Sequence, residues 1–329
     1  MSTSTAPIAI VPALPVSRGL TSGLVMALGS ALAFSSSGPL VKPLFEAGWS
    51  LTSVLAVRMG VAGLVLAPAL VRVLIRQRGF VRRHGVLLVG FALTGVMGCQ
   101  LFYFSAMQRM PVAVALLIQY IAPVLVVVWV WLRTRRRPSN LVIGGSAVAM
   151  AGLVLVIDLA GARFDALGTL FALGAAVCAA AYFVISERTG DDLPPLALAA
   201  GGLLIGAAVT ILLGVTGIIP FAAPAVSVVV AGMEVPWFVP LLWVATASTA
   251  VGYAFGVMAV PRIGSRLASF VGLGEVLFAL GFAWLLLGET PAPIQFLGGA
   301  LVLLGVVAVR MDADSAGTPQ GPAAVVPAP

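Results

Sequence analysis

Residues 267–287, LASFVGLGEVLFALGFAWLLL, hold a single ionisable group, Glu275. An apolar run of about 20 residues spans the hydrocarbon core of a bilayer as an α-helix. Glu275 falls about 12 residues from the outer end of that run, or about 18 Å deep at a rise of 1.5 Å per residue. A charge exposed to lipid there costs at least ~2.5–3.5 kcal/mol. The stretch therefore predicts a helix packed inside a bundle, with Glu275 facing a polar cavity or a partner.

The rest of the chain agrees. Of 329 residues, 61% are apolar and only 9% are charged, and the mean hydropathy is +1.14. Soluble domains carry about 25% charged residues. The strict alternation of a membrane β-barrel is missing. The net charge is +7, but the basic residues lie in short clusters between apolar runs, as topology signals do, so nucleic acid is not an expected partner. Cys99 and Cys178 sit inside apolar runs and read as small packing residues. With one histidine, His84, there is no zinc-ligand constellation, and no metal or cofactor is expected.

Ten spans are expected, at 20–40, 51–74, 86–107, 112–132, 141–157, 167–186, 196–215, 237–260, 267–287 and 294–309. Within residues 1–19, the stretch 1–16 has no basic n-region, and prolines interrupt its apolar residues. Residues 1–19 are expected as a flexible cytoplasmic N-terminus rather than a cleaved signal peptide. Residues 311–329, rich in Pro, Ala and Gly, are expected as a disordered cytoplasmic tail. Residues 216–236 hold three prolines and read as an interfacial loop, with an eleventh span as the alternative. Counting alternately across ten spans, one side collects Arg18, the clusters at 72–83 and 133–137, Arg188, Arg262, Arg266 and Arg310. That is fourteen basic residues, against Lys42, Arg109 and Arg163 on the other side. This bias puts both termini in the cytoplasm.

The halves repeat. A shift of 153 superposes Phe102 on Phe255, Arg109 on Arg262, Trp131 on Trp284 and Pro138 on Pro291. The same shift places Gly145 on Gly298 and Gly152 on Gly305. A shift of 145 superposes Gly23 and Gly29 on Gly168 and Gly174. Five spans per copy is an odd number, so the second copy is expected upside down relative to the first. The fold class read here is an all-α integral membrane protein, ten transmembrane helices in two inverted five-helix repeats, 20–158 and 165–310. Carriers built this way bind substrate near the midplane, between the copies.

The second copy, with Phe255, Ala259, Gly264, Ala268, Glu275, then Trp284-Leu285-Leu286-Leu287-Gly288-Glu289, Pro291 and Gly298-Gly299-Ala300, resembles the EamA-type drug/metabolite transporter superfamily. Arg58 in the second span fits the same pattern. The sequence departs from it at Ala122, which occupies the place matching Glu275, and at Val276. The resemblance implies a secondary transporter of the bacterial inner membrane, exporting a small metabolite such as an amino acid, or a drug.

Residue chemistry supplies the candidates for a substrate or proton path. Burial disfavours the charged form of Glu275, which makes it a candidate to exchange a proton; the alternative is a structural hydrogen bond. Arg58, roughly 11 Å from the outer end of its span, can pair with Glu275, hold a substrate carboxylate, or snorkel outward. Gln100, Tyr103, Gln119, Tyr120, Tyr182 and Tyr253 are polar residues inside spans, where the ordinary alternative is interhelical hydrogen bonding. Trp131, Trp284 and Trp237 read as interface anchors. The glycines of spans five and ten read as packing helices within the chain or at a homodimer contact. No nucleotide-binding loop is visible, so energy would come from an ion or solute gradient. Enzyme chemistry lacks residues at the midplane, whereas a lipid flippase or an accessory membrane subunit is the competing function.

Overall fold

Residues 16–107, 109–110, 112–157, 165–190, 192–287 and 292–316 are described by the structure, a computed structural model. Fourteen helices are seen among them. The first half holds α1 (Val16–Ser35), α2 (Ser37–Glu46), α3 (Leu51–Arg76), α4 (Phe80–Phe91), α5 (Cys99–Met107), α6 (Val112–Gln119), α7 (Ala122–Thr134) and α8 (Asn140–Ile157). The second holds α9 (Ala166–Ser186), α10 (Pro195–Val215), α11 (Phe238–Trp243), α12 (Gly252–Gly272), α13 (Gly274–Leu287) and α14 (Pro293–Ala316). Short π-helical segments, Ala92–Gly98 and Val244–Val251, join α4 to α5 and α11 to α12.

Among the described residues, eight helical runs are long and apolar enough to cross a membrane: Gly19–Glu46, Leu51–Arg76, Phe80–Tyr103, Leu117–Thr134, Ala166–Ser186, Pro195–Val215, Phe238–Gly272 and Pro293–Asp312. Asn140–Val156 is a shorter apolar helix. The expected eighth and ninth spans are divided differently. Where a loop was expected after residue 260, the helix runs on to Gly272 with only a break at Gly264 (φ 78°, ψ 154°). The expected ninth span is then cut at Leu273, so α13 has 14 residues. The break at Gly264 falls within the connection expected at 261–266, whereas the break at Leu273 is a local backbone event that the apolar run conceals.

Helix starts follow capping chemistry. Ser50 accepts from Ser53 N ahead of α3, and Asp165 accepts from Gly168 N ahead of α9. In the first span, Ser35, Ser36 and Ser37 each donate to the carbonyl three residues back, at the joint between α1 and α2. Residues 216–236 contain no helix. They form a hairpin, β1 (Val228–Val230) against β2 (Met233–Val235), with Val228 buried against Trp49, Val54 and Leu241. Trp49 Nε1 donates to Pro224 O at 2.8 Å. α14 continues six residues past Arg310, into the stretch expected to be disordered; 1–15 and 317–329 lie outside the described residues.

Corresponding helices make corresponding contacts. α8 and α14 cross antiparallel through glycine: a Cβ on Gly152 would sit 2.6 Å from Gly298 O, and one on Gly145 would sit 2.9 Å from Gly305 O. α1 packs on α12, with Gly23 against Arg262 and Gly29 against the Phe255 ring. α9 packs likewise on α5 and the turn after it, with Gly168 against Arg109 and Gly174 against the Phe102 ring. The π segments also correspond, since Ala92–Gly98 shifted by 153 falls inside Val244–Val251. Trp131 and Trp284 are exposed, and Trp237 packs on Trp49 with ring centres 5.2 Å apart.

Candidate functional site

A cavity of about 250 Å³ lies between the halves. Glu275, Arg58, Gln100, Tyr103, Gln119, Tyr120, Tyr182 and Tyr253 all line it, and no residue of α8 or α14 does. These eight side chains come from α3, α5, α6, the break before α7, α9, α12 and α13. Between them stand small residues such as Ala27 and Ala31, while Gly95 and Gly256 make room for Tyr182.

Two helix breaks set the acidic group. The break at Leu273 restarts the helix at Gly274 and places Glu275 in its first turn. A helix N-terminus favours a carboxylate. The break at Tyr120–Ile121, 153 residues earlier, is its counterpart in the first half, where Ala122 lines the same cavity. The site thus carries one carboxylate where a symmetric duplication would carry two or none.

Arg58 is 8% exposed. Its Nε donates to Thr249 Oγ1 at 2.9 Å. Thr249 Oγ1 in turn donates to Val244 O at 2.7 Å, five residues back along the second π segment. π-bulges often mark functional positions, and this one shapes the arginine's seat. Arg58 and Glu275 make no ion pair within 4.0 Å. The direct pair allowed by the sequence is not formed, and the guanidinium fork keeps donors for another acceptor. Among the described residues Glu275 has no hydrogen bond.

An aromatic wall faces this pair. Tyr182 meets Tyr253 edge-on at 5.9 Å and Phe183 at 5.0 Å, while Phe34 meets Tyr253 at 5.1 Å. Tyr253 OH donates to Gly95 O at 3.3 Å, inside the first π segment. The Tyr182 hydroxyl fits against Gly256, where a Cβ would collide with it. That hydroxyl and Gln119 Oε1 are buried with no partner among the described residues. Buried polar atoms without partners are uncommon, and here they point to a ligand-facing surface.

The sequence reading missed Thr249, Ser30, Gly95 and Gly256. Ser30 donates to Gly252 O at 2.7 Å, linking α1 to α12 beside the cavity. Small or weakly polar residues are common in membrane helices, so nothing local flags them. Cys99 needs a correction: it is a cavity residue as well as a packing one, accepting from Gln119 Nε2 at 3.6 Å.

Helices of membrane-crossing length around an internal cavity, mostly apolar but carrying a few polar and charged side chains, mark a multi-pass membrane protein of the carrier type. A model described as the EamA-like transporter family matches residues 21–158 and again 166–311, and the chain belongs to that family. It is therefore a transporter of small molecules across the membrane, not an enzyme. The threonine/homoserine exporter RhtA of Escherichia coli (strain K12) is 30% identical over 228 residues, 67% of this chain and 69% of that protein. The uncharacterized transporter YwfM of Bacillus subtilis (strain 168) is 30% identical over 217 residues, 65% of this chain and 70% of that protein. A solved crystal structure that covers 92% of this chain and 99% of its own superposes with a TM-score of 0.68 at 21% identity, a likeness of fold.

Proposed function

We propose that the chain is a secondary transporter that exports an amino acid or a close relative across the bacterial inner membrane by alternating access. The observation that carries this is the pairing of opposite charges on one cavity without a bond between them. Arg58, anchored by Thr249, offers a planar donor fork to a substrate carboxylate. Glu275 offers an acceptor to a substrate ammonium group, or a proton site when the cavity is empty. The cavity volume of about 250 Å³ is compatible with a small metabolite. RhtA is named for export of threonine and homoserine, both amino acids.

The same proposal includes the architecture: ten spans in two inverted five-helix repeats, 20–158 and 165–310, with both termini cytoplasmic. The antiparallel glycine crossing of α8 and α14 supports it, because equivalent helices can meet antiparallel only if the copies point in opposite directions. Alternating access would rock one bundle against the other around the cavity. That crossing occupies the glycine faces within one chain, so a homodimer would need other surfaces of these helices.

The test is transport in proteoliposomes holding the purified protein alone. Threonine and homoserine are expected to exchange across the membrane, and a pH gradient is expected to drive their net movement. Glu275→Gln should insert and fold normally yet lose the response to that gradient. An equal, pH-independent flux from the variant would make Glu275 structural. If the protein alone moves no amino acid, the accessory-subunit reading gains; movement of lipid instead would favour a flippase.

A further inference from the structure

A second cavity, about 330 Å³, lies at the arginine-rich end of the bundle, between the C-terminal end of α7 and the break in α12. It shares no lining residue with the central cavity. Its lining mixes apolar side chains, Trp131, Ile263 and Leu267, with the polar Arg136, Arg137 and Ser265.

The break at Gly264 gives this lining its character. Its φ of 78° with ψ of 154° is a backbone conformation reserved almost entirely for glycine. The helix restarts at Ser265 and runs eight residues to Gly272. The first N–H groups of a restarted helix have no carbonyl one turn back, and they present partial positive charge. An independent observation points the same way: Ser265 is 1% exposed, lines the cavity, and its Oγ has no hydrogen-bond partner among the described residues. Arg136 and Arg137 are exposed and make no ion pair among the described residues, whereas Arg266 is engaged by Asp312 at 2.7 Å. Glu187 also lines the space, beside Gly264. With Arg266 engaged by Asp312, Arg136 and Arg137 stand against Glu187, and the lining remains positive.

We infer that this second cavity binds a phosphoryl group, carried by an anionic lipid headgroup or free in solution. The Ser265 hydroxyl and the restarted helix receive its oxygens, Arg136 and Arg137 close over it, and Trp131, Ile263 and Leu267 accommodate the carbon skeleton of a lipid.

The experiment uses the purified full chain in detergent, with retained ligand read by native mass spectrometry and the thermal midpoint recorded alongside. The probes are phosphatidylglycerol, phosphatidylcholine and inorganic phosphate. Wild-type protein is expected to hold phosphatidylglycerol or phosphate at least tenfold better than Arg136→Gln/Arg137→Gln. Ser265→Ala, which leaves the surface charge intact, is expected to weaken binding severalfold. The exposed pair Arg72→Gln/Arg76→Gln should bind as wild type. Retention of phosphatidylglycerol alone assigns the site to lipid, and retention of inorganic phosphate assigns it to a soluble anion. The inference is overturned if no anionic probe binds, if Ser265→Ala and the Arg136/Arg137 variant bind as wild type, or if the Arg72/Arg76 variant loses as much. The assay reads no transport, so its outcome is independent of the central cavity's role.

Discussion

Gly152 and Gly298 approach each other reciprocally: a Cβ on either would lie 2.6 Å from the carbonyl oxygen of the other. Only hydrogen fits at such a crossing. Small residues of this kind let membrane helices close on one another and gain packing energy along their length.

Gly152→Ala is therefore expected to separate α8 from α14 and to destabilise the protein. Overpacking of tight interiors costs about 1–3 kcal/mol, and here the obstructing atoms are backbone. The thermal midpoint in detergent measures it. Gly144→Ala, with nothing within 4 Å of the added methyl, should leave that midpoint unchanged.

Thr249→Val should release Arg58 from its seat while keeping the side-chain volume. Hydrogen bonds to charged groups contribute about 1.5–3 kcal/mol, so substrate affinity is expected to fall roughly 10- to 100-fold. Thr249→Ser should restore it. Equilibrium binding to the purified protein reads this directly, and an unchanged affinity would place Arg58 outside the binding surface.

Gly256→Ala should drive the Tyr182 hydroxyl from its place, because the new methyl and that oxygen cannot coexist. Transport should drop severalfold with a modest loss of stability. Tyr182→Phe removes the colliding oxygen, so in that background Gly256→Ala should do less harm. A double-mutant cycle on transport rate quantifies the coupling, and strict additivity would contradict the contact.

The hairpin of residues 228–235 turns through Ala231 (φ 50°) and Gly232 (φ 77°). An L-residue other than glycine pays about 1–2 kcal/mol in that region. Ala231→Gly should relieve the strain, and slower hydrogen exchange across residues 228–235 would report it.

Much of the candidate site was legible before any fold was known. Glu275, Arg58, the two glutamines and the four tyrosines stand out because each is polar within an apolar run. Their convergence on one cavity was only an expectation, and Thr249 and Gly256 were invisible. Threonine and glycine occur throughout membrane helices, and what distinguishes these two is a neighbour far away in the chain. The division of helices was also partly hidden. The repeats announced matching segments, and the break at Gly264 falls in the expected connection 261–266, but the break at Leu273 depends on backbone angles to which an apolar pattern is indifferent.

The sequence by itself determined that this chain enters a membrane and that its few internal polar groups must be sheltered. Transfer from water to lipid is a sum over residues, and it needs no knowledge of neighbours. Only the tertiary structure decided that Arg58 bonds to Thr249, 191 residues away, rather than to Glu275. That choice is set by how helices pack and where π segments turn them, and packing is a property of the assembled bundle.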